Sequence, residues 1–262
     1  MSYEHVRELL KEMKLDGISL TLDSTLEEWS KSGKDATELI EELLEAEKKS
    51  LKAKKYDVAL RYSGFPFHKH LDEFDFTFQP SIDVKKIKEL KTLRFMYEKE
   101  NVIFLGPPGV GKTHLAVGLG MEGIKEGKKV YFINSITLVD KLKKSFYERS
   151  FEKQMRFYKA LDLLIIDELG YLPLDSEGAK LFFELISEKY EQGSVIVTSN
   201  RSFNEWNKIF EDEVIATAVL DRLLHHSTII NIRGKSYRLR EKQKSGMIRL
   251  DTSKIIDENA QN

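Results

Sequence analysis

Gly106-Pro107-Pro108-Gly109-Val110-Gly111-Lys112-Thr113 decides the fold. It fits G-x-x-x-x-G-K-[ST] in full. The apolar run Val102-Ile103-Phe104-Leu105 precedes it and a helical pattern follows, which is the context a phosphate-binding loop requires. Glycines let backbone N–H groups curl round phosphate oxygens without Cβ clashes. The following helix turns its positive end towards the anion. Lys112 is placed to reach the β- and γ-phosphates, and the Thr113 hydroxyl to ligate magnesium.

Working outward, Leu163-Leu164-Ile165-Ile166 is an apolar strand ending in Asp167-Glu168. Asp167 would orient the magnesium ion, and Glu168 would polarise an attacking water as general base. A phosphate-loop kinase has its substrate as nucleophile and needs no such glutamate, so the pair favours hydrolysis. Val195-Ile196-Val197-Thr198-Ser199-Asn200 is a third strand ending in a polar amide. If it lies between the other two, Asn200 points at the γ-phosphate and the water. The alternative is an ordinary turn residue. Arg222, in Leu220-Asp221-Arg222-Leu223-Leu224, is either an arginine finger for a neighbouring subunit or a surface ion-pair partner.

The rest of the chain reads as alternating elements. A helix over 83–99 leads into the first strand. Further strands are Val130-Tyr131-Phe132-Ile133 and Thr228-Ile229-Ile230, with helices across 135–159, 176–190 and 203–223. Short continuous apolar runs fit a parallel α/β sheet covered on both faces. Residues 1–62 read as helices. Val6, Leu9, Leu10 and Met13 repeat at helical spacing, and Asp35 with Glu38 resembles a capping box. This part is acidic, with 12 Lys/Arg against 17 Asp/Glu over residues 1–80. It is either a solvated structural element or a docking module for a protein partner or subunit. Tyr62 to Pro66 breaks the helix. Phe74, Phe76 and Phe78 alternate, which predicts an extended segment with one buried face. Packing explains it, or an aromatic from it covers a bound base. The expected organisation is a helical domain over 1–62, a linker over 63–82, an ATPase core over 83–250 and a frayed tail over 251–262.

Together GPPGVGKTHLA, LLIIDELGYLPL, VIVTSN, LDRLLHHS and GKSYRLR resemble the IstB-type transposition helper ATPases. These belong with DnaC-type helicase loaders in the AAA+ class. The resemblance runs from about Phe74 to Arg240, and the helical N-terminal part fits as well. It implies a P-loop NTPase (AAA+) core, a parallel five-stranded sheet flanked by helices, with ATP and Mg2+ as cofactors. It implies ATP-dependent oligomerisation into a ring or spiral on duplex DNA and an IstA-type transposase partner. The nucleotide site it implies is Gly106, Pro107, Pro108, Gly109, Val110, Gly111, Lys112, Thr113 and His114. Thr113 and Asp167 would hold the metal, Glu168 and Asn200 take the base and sensor positions, and Arg222 takes the finger position. A DnaC-type loader that binds single-stranded DNA is the alternative. A nucleotide-regulated adaptor is a rival from another class.

One departure stands out. Only 40 residues follow Arg222, too few for the usual helical lid. Arg238 is the candidate to act in its place. Asn134 either restrains Glu168 or caps the next helix. For DNA, residues 138–160 hold seven Lys/Arg against three Asp/Glu, although the net charge is −1. Lys141, Lys143, Lys144, Arg149 and Lys153 are the candidate DNA-binding residues, interleaved with aromatics. The alternative is a solvated helix face. A second basic stretch, Arg233 to Arg249, is a DNA or a subunit contact. The absence of cysteine excludes disulfides, thiolate metal sites and a cysteine nucleophile. His225 and His226 have no carboxylate at ligand spacing, which predicts structural roles. With no signal peptide and no apolar run near 20 residues, the expectation is a cytoplasmic protein without a membrane partner.

Overall fold

The computed structural model describes residues 3–244. The expected tail over 251–262, residues 245–250 of the expected core, and Arg249 lie outside the described residues. The chain forms two compact units that divide after Tyr62.

The first unit holds α1 (Tyr3–Glu12), α2 (Asp16–Ser32) and α3 (Ala36–Tyr62). Gly33 ends α2 in the left-handed conformation, and Asp35 then caps α3 by accepting from the N–H groups of Thr37 and Glu38. Gly17 lets α2 approach α3 so closely that a Cβ there would lie 2.5 Å from the Ala46 carbonyl oxygen. Buried Glu47 accepts from Ile18 N–H at 3.0 Å at this crossing. Val6, Leu9, Met13, Ile40, Leu44 and Leu51 are all exposed, so the apolar stripes of α1 and α3 bury little.

The second unit is a five-stranded sheet in the order β2-β3-β4-β1-β5, parallel throughout. The strands are β1 (Asn101–Leu105), β2 (Val130–Asn134), β3 (Leu163–Leu169), β4 (Ser194–Ser199) and β5 (Ser227–Asn231). The helices are α4 (Val84–Lys91), α5 (Arg94–Tyr97), α6 (Lys112–Lys125), α7 (Ser135–Tyr147), α8 (Phe151–Lys159), α9 (Ser176–Lys189), α10 (Asn207–Phe210), α11 (Glu213–Leu224) and α12 (Tyr237–Lys244). All five residues of β1 and all six of β4 are buried, which explains their continuous apolar runs. Tyr158, Phe182, Trp206 and Phe210 fill the core on one face. The strand order puts β4 between β1 and β3, so the ends of all three converge on one edge of the sheet.

The helices expected across 135–159 are α7 and α8, parted by Arg149 with φ +55°. Two local expectations need correction. The helix over 83–99 is broken at Leu93, whose φ is +62°. The phenylalanine alternation does not make an extended segment. Asp75 accepts from the N–H groups of Thr77 and Phe78, and the chain turns there. A local side-chain bond to the backbone outweighs the period-2 pattern where no neighbouring strand competes for those groups. After β5, Ile232 N–H donates to Leu105 O at 2.7 Å, and the described chain adds only α12. Among the described residues there is no helical lid bundle.

Candidate active site

The loop after β1 turns on glycines that no other residue replaces freely. Gly109 and Gly111 have φ of +81° and +99°. A Cβ on Gly111 would lie 2.5 Å from the Phe74 ring, and one on Gly109 would collide with the Ser236 side chain. Lys112 opens α6 and is 9% exposed. Its Nζ donates to the carbonyls of Gly106 and Pro107 at 2.7 and 2.9 Å. Burial lowers its pKa, and the carboxylates of Asp167 and Glu168 oppose that shift.

The two acids stand across the loop. Thr113 Oγ1 donates to Asp167 at 3.0 Å, and Thr198 Oγ1 donates to the same carboxylate at 2.6 Å. Burial raises the pKa of Asp167, and the two hydroxyls pull it back. Glu168 has φ +59° and an exposed side chain. Its Oε2 accepts from Asn134 Nδ2 at 3.0 Å, while Asn134 Oδ1 caps α7 through Ile136 N–H. Each end of the Asn134 amide thus has its own partner, the Glu168 carboxylate and the first turn of α7. Asn200 follows β4 and faces the same cavity as Lys112, Thr113 and Glu168.

That cavity has a volume of about 750 Å3, which suits a nucleotide. Its other wall was anticipated in sequence only at Phe74 and Arg238. Phe67, Lys69, Phe74 and Asp75 come from the segment before α4, and Tyr237 and Arg238 from the segment after β5. Phe74 packs on His114 with ring centroids 5.2 Å apart. His114 Nε2 lies 2.9 Å from the His70 carbonyl, so that nitrogen carries the proton, and burial lowers the ring's pKa. Tyr237 N–H donates to Gly109 O at 2.9 Å. Arg240 stacks on Phe78 and pairs with Asp75 at 3.4 Å. The chain after β5 is thus strapped over the phosphate loop. The basic stretch from Arg233 faces this wall through Arg238 and Arg240. The side chains of Lys242 and Lys244 lie outside the described residues.

The donor set fits a magnesium nucleotide. It offers a glycine cradle with no room for Cβ atoms, a buried ammonium, and a hydroxyl bonded to a buried carboxylate. The chain matches the family of IstB-like ATP-binding proteins over residues 8–245. It belongs to that family. It is 50% identical over 207 residues to the ATP-binding protein of insertion sequence IS5376 from Geobacillus stearothermophilus, covering 79% of this chain and 82% of that one. It is 43% identical over 250 residues to its counterpart in IS21 from Pseudomonas aeruginosa, covering 95% and 94%. In fold it resembles the crystal structure of DnaI, with a TM-score of 0.55 and 19% identity over 63% of this chain and 91% of that one. The chain is thus an ATP-binding protein of the IstB-like family.

The remaining candidates of this IstB-like chain lie away from the cavity. Arg222 lies in the last turn of α11, donates to Ala218 O at 3.1 Å and stacks on Phe183 at 4.6 Å. It is not among the cavity-lining residues of its own chain. No ion pair to Asp221 forms among the described residues. Of the candidate DNA residues, Lys143 is paired with Asp175 at 2.6 Å and Lys144 with Glu148 at 3.8 Å. Lys141 donates to Tyr131 Oη at 3.0 Å. Arg149 and Lys153 form no ion pair among the described residues and are exposed. Phe146 and Tyr147 lie exposed beside them. The paired histidines do gain a carboxylate. The fold brings Glu191 to within 4.8 Å of both, although Tyr190 Oη already bonds His225 Nδ1 and all three groups are exposed. Among the described residues no helix is long and apolar enough to cross a membrane.

Proposed function

We propose that this chain is a cytoplasmic helper of DNA transposition that hydrolyses ATP, oligomerises on duplex DNA and presents a target site to a transposase. What carries the reading is the convergence of Lys112, Thr113, Glu168 and Asn200 on one cavity, with Asp167 bonded to Thr113 behind it, in a chain whose relatives belong to insertion sequences. The backbone from Gly106 to Thr113 cradles the phosphates, and His114 holds the linker aromatics beside them. Lys112 exchanges its two carbonyl partners for phosphate oxygens. Thr113 and Asp167 are the residues to hold magnesium, which neutralises developing phosphate charge when bound. Glu168 takes the proton of the attacking water once Asn134 releases its carboxylate. Asn200 orients that water against the γ-phosphate, and Arg238 supports the phosphates from the strap.

Arg222 lies outside its own cavity, which supports action on the nucleotide of a neighbouring subunit in a ring or spiral. DNA runs past the α7–α8 turn. Arg149 and Lys153 bear on the phosphates directly, and Lys141, Lys143 and Lys144 trade their internal partners for DNA. The N-terminal unit, with its exposed apolar stripes, meets the transposase or the next subunit. The test is fluorescence anisotropy with labelled duplex and single-stranded DNA of equal length, with ATP, with a non-hydrolysable analogue and without nucleotide. Cooperative, nucleotide-dependent duplex binding that weakens with salt is expected. Binding confined to single strands would replace this reading with a helicase loader.

A further inference from the structure

The end of β3 poses a geometric problem. In a regular strand consecutive side chains point to opposite faces, yet Asp167 and Glu168 must serve one site. The pairing of β3 with β4 solves it. Ile166 pairs with Val197, but Leu169 pairs with Ser199, so β3 carries one residue more than β4 across this interval. The extra residue makes a bulge, a device that re-aims side chains beside active sites. Glu168 takes up the distortion with its φ of +59°. Its N–H is displaced from the regular ladder.

Thr198 supplies what the ladder loses. Its Oγ1 accepts from Glu168 N–H at 3.0 Å and donates to Asp167 Oδ1 at 2.6 Å. One fully buried hydroxyl thus spends its donor on one acid and its acceptor on the backbone of the next. Ser199 secures the same bulge one residue on, donating to Leu169 O at 2.6 Å, and touches neither carboxylate. Asn200 follows directly on this strand. We propose that Thr198 is a positioning residue for hydrolysis. Its hydroxyl holds the β3 bulge in the form that turns Asp167 towards Thr113 and Glu168 into the cavity. It ties that geometry to the strand bearing Asn200. The inference rests on the roles given above to Asp167 and Glu168.

Thr198→Val keeps the shape and removes the hydroxyl. It leaves Glu168 N–H without its partner and Asp167 with one donor fewer. A misplacement of catalytic groups by about 1 Å costs on the order of 100-fold in rate. The expected result is a kcat lower by about 10–100-fold, a raised magnesium concentration for half-maximal rate, and unchanged binding of fluorescent ATP without magnesium. Thr198→Ser should retain most of the rate. Ser199→Ala removes a hydroxyl that bonds neither acid, so it should lower the melting temperature and cost less in kcat than Thr198→Val.

A double-mutant cycle separates positioning from mere support. Once Glu168→Gln has removed the base, Thr198→Val should cost no further kcat. Full turnover by Thr198→Val would overturn the proposal, as would equal losses in Thr198→Ser and Thr198→Val. If Thr198→Val does not fold, Thr198→Cys, a weaker donor of similar size, takes its place, with an intermediate loss expected and an unchanged kcat refuting. Glu168→Gln alone tests the underlying reading. If it hydrolyses ATP normally, the role of Glu168 fails. If it binds ATP without turnover while Thr198→Val is fully active, only the role of Thr198 fails.

Discussion

Gly111→Ala tests how the wall of the cavity is built. The added methyl meets two obstacles. The backbone sits at φ +99°, where an L-residue pays roughly 1–2 kcal/mol. The methyl would also lie 2.5 Å from the Phe74 ring, and such overpacking costs about 1–3 kcal/mol. The ring cannot retreat freely, because Phe76 and His114 stand with centroids 4.8 and 5.2 Å from it. The sum is about 2–5 kcal/mol. For a unit of this size each kcal/mol shifts the melting temperature by roughly 2–4 °C, so a fall near 10 °C is expected. Affinity for fluorescent ATP should fall at least about tenfold, since the substitution disturbs both the phosphate cradle and the linker wall. Differential scanning fluorimetry and a nucleotide titration read the two effects. The decisive arm is Phe74→Leu in the Gly111→Ala background. It should recover the overpacking share and leave the backbone strain, giving a coupling of about 1 kcal/mol or more. Strictly additive melting shifts would refute the contact as the source of the cost.

Other perturbations probe separate parts of the molecule. Arg222→Ala should bind ATP within about twofold of the parent and lose at least about 100-fold in kcat, and mixing it with Lys112→Ala should restore part of the rate. Absence of any recovery on mixing would count against action between subunits. Asn134→Ser keeps an oxygen to cap α7 and loses the amide donor to Glu168, so basal hydrolysis without DNA should rise and the stimulation by DNA should shrink. Buried Lys189 donates to Leu161 O, and burial lowers its pKa to about 8. The unfolded chain holds that proton up to about pH 10.5, so the penalty is full below pH 8 and fades between those values. Lys189→Met should therefore raise the melting temperature at pH 7 and lose that advantage by about pH 10.5. A pH-independent difference would show that the buried charge is not its source.

The fold was largely legible because its signals are local. Val102 to Leu105 reads as a covered strand from four consecutive apolar residues, and Gly106 to Thr113 reads as a loop from its own glycines. Leu93 and Arg149 escaped, since nothing in their side chains announces a left-handed turn. The phenylalanines at 74, 76 and 78 misled because an alternating pattern has meaning only when a partner strand is at hand. Thr198 carried a faint signal, a hydroxyl closing an apolar strand, but its partners lie on a strand about thirty residues away. The lysines of α7 read as free charge in sequence. Lys143 is instead held by Asp175, which reaches it from the start of α9.

The sequence by itself determined the chemistry available to this protein. A phosphate loop, an acidic strand end and an amide strand end are each written in contiguous residues, because short-range sterics and periodicity shape them. Only the tertiary structure decided how these pieces meet. It placed β4 between β1 and β3, opened a bulge at Glu168, closed that bulge with Thr198, and laid Phe74 and Tyr237 against the phosphate loop. It also brought Glu191 beside His225 and His226. Each of these contacts joins residues far apart along the chain. Register, bulge and burial select such pairs, and those properties belong to the packed sheet, not to any one segment.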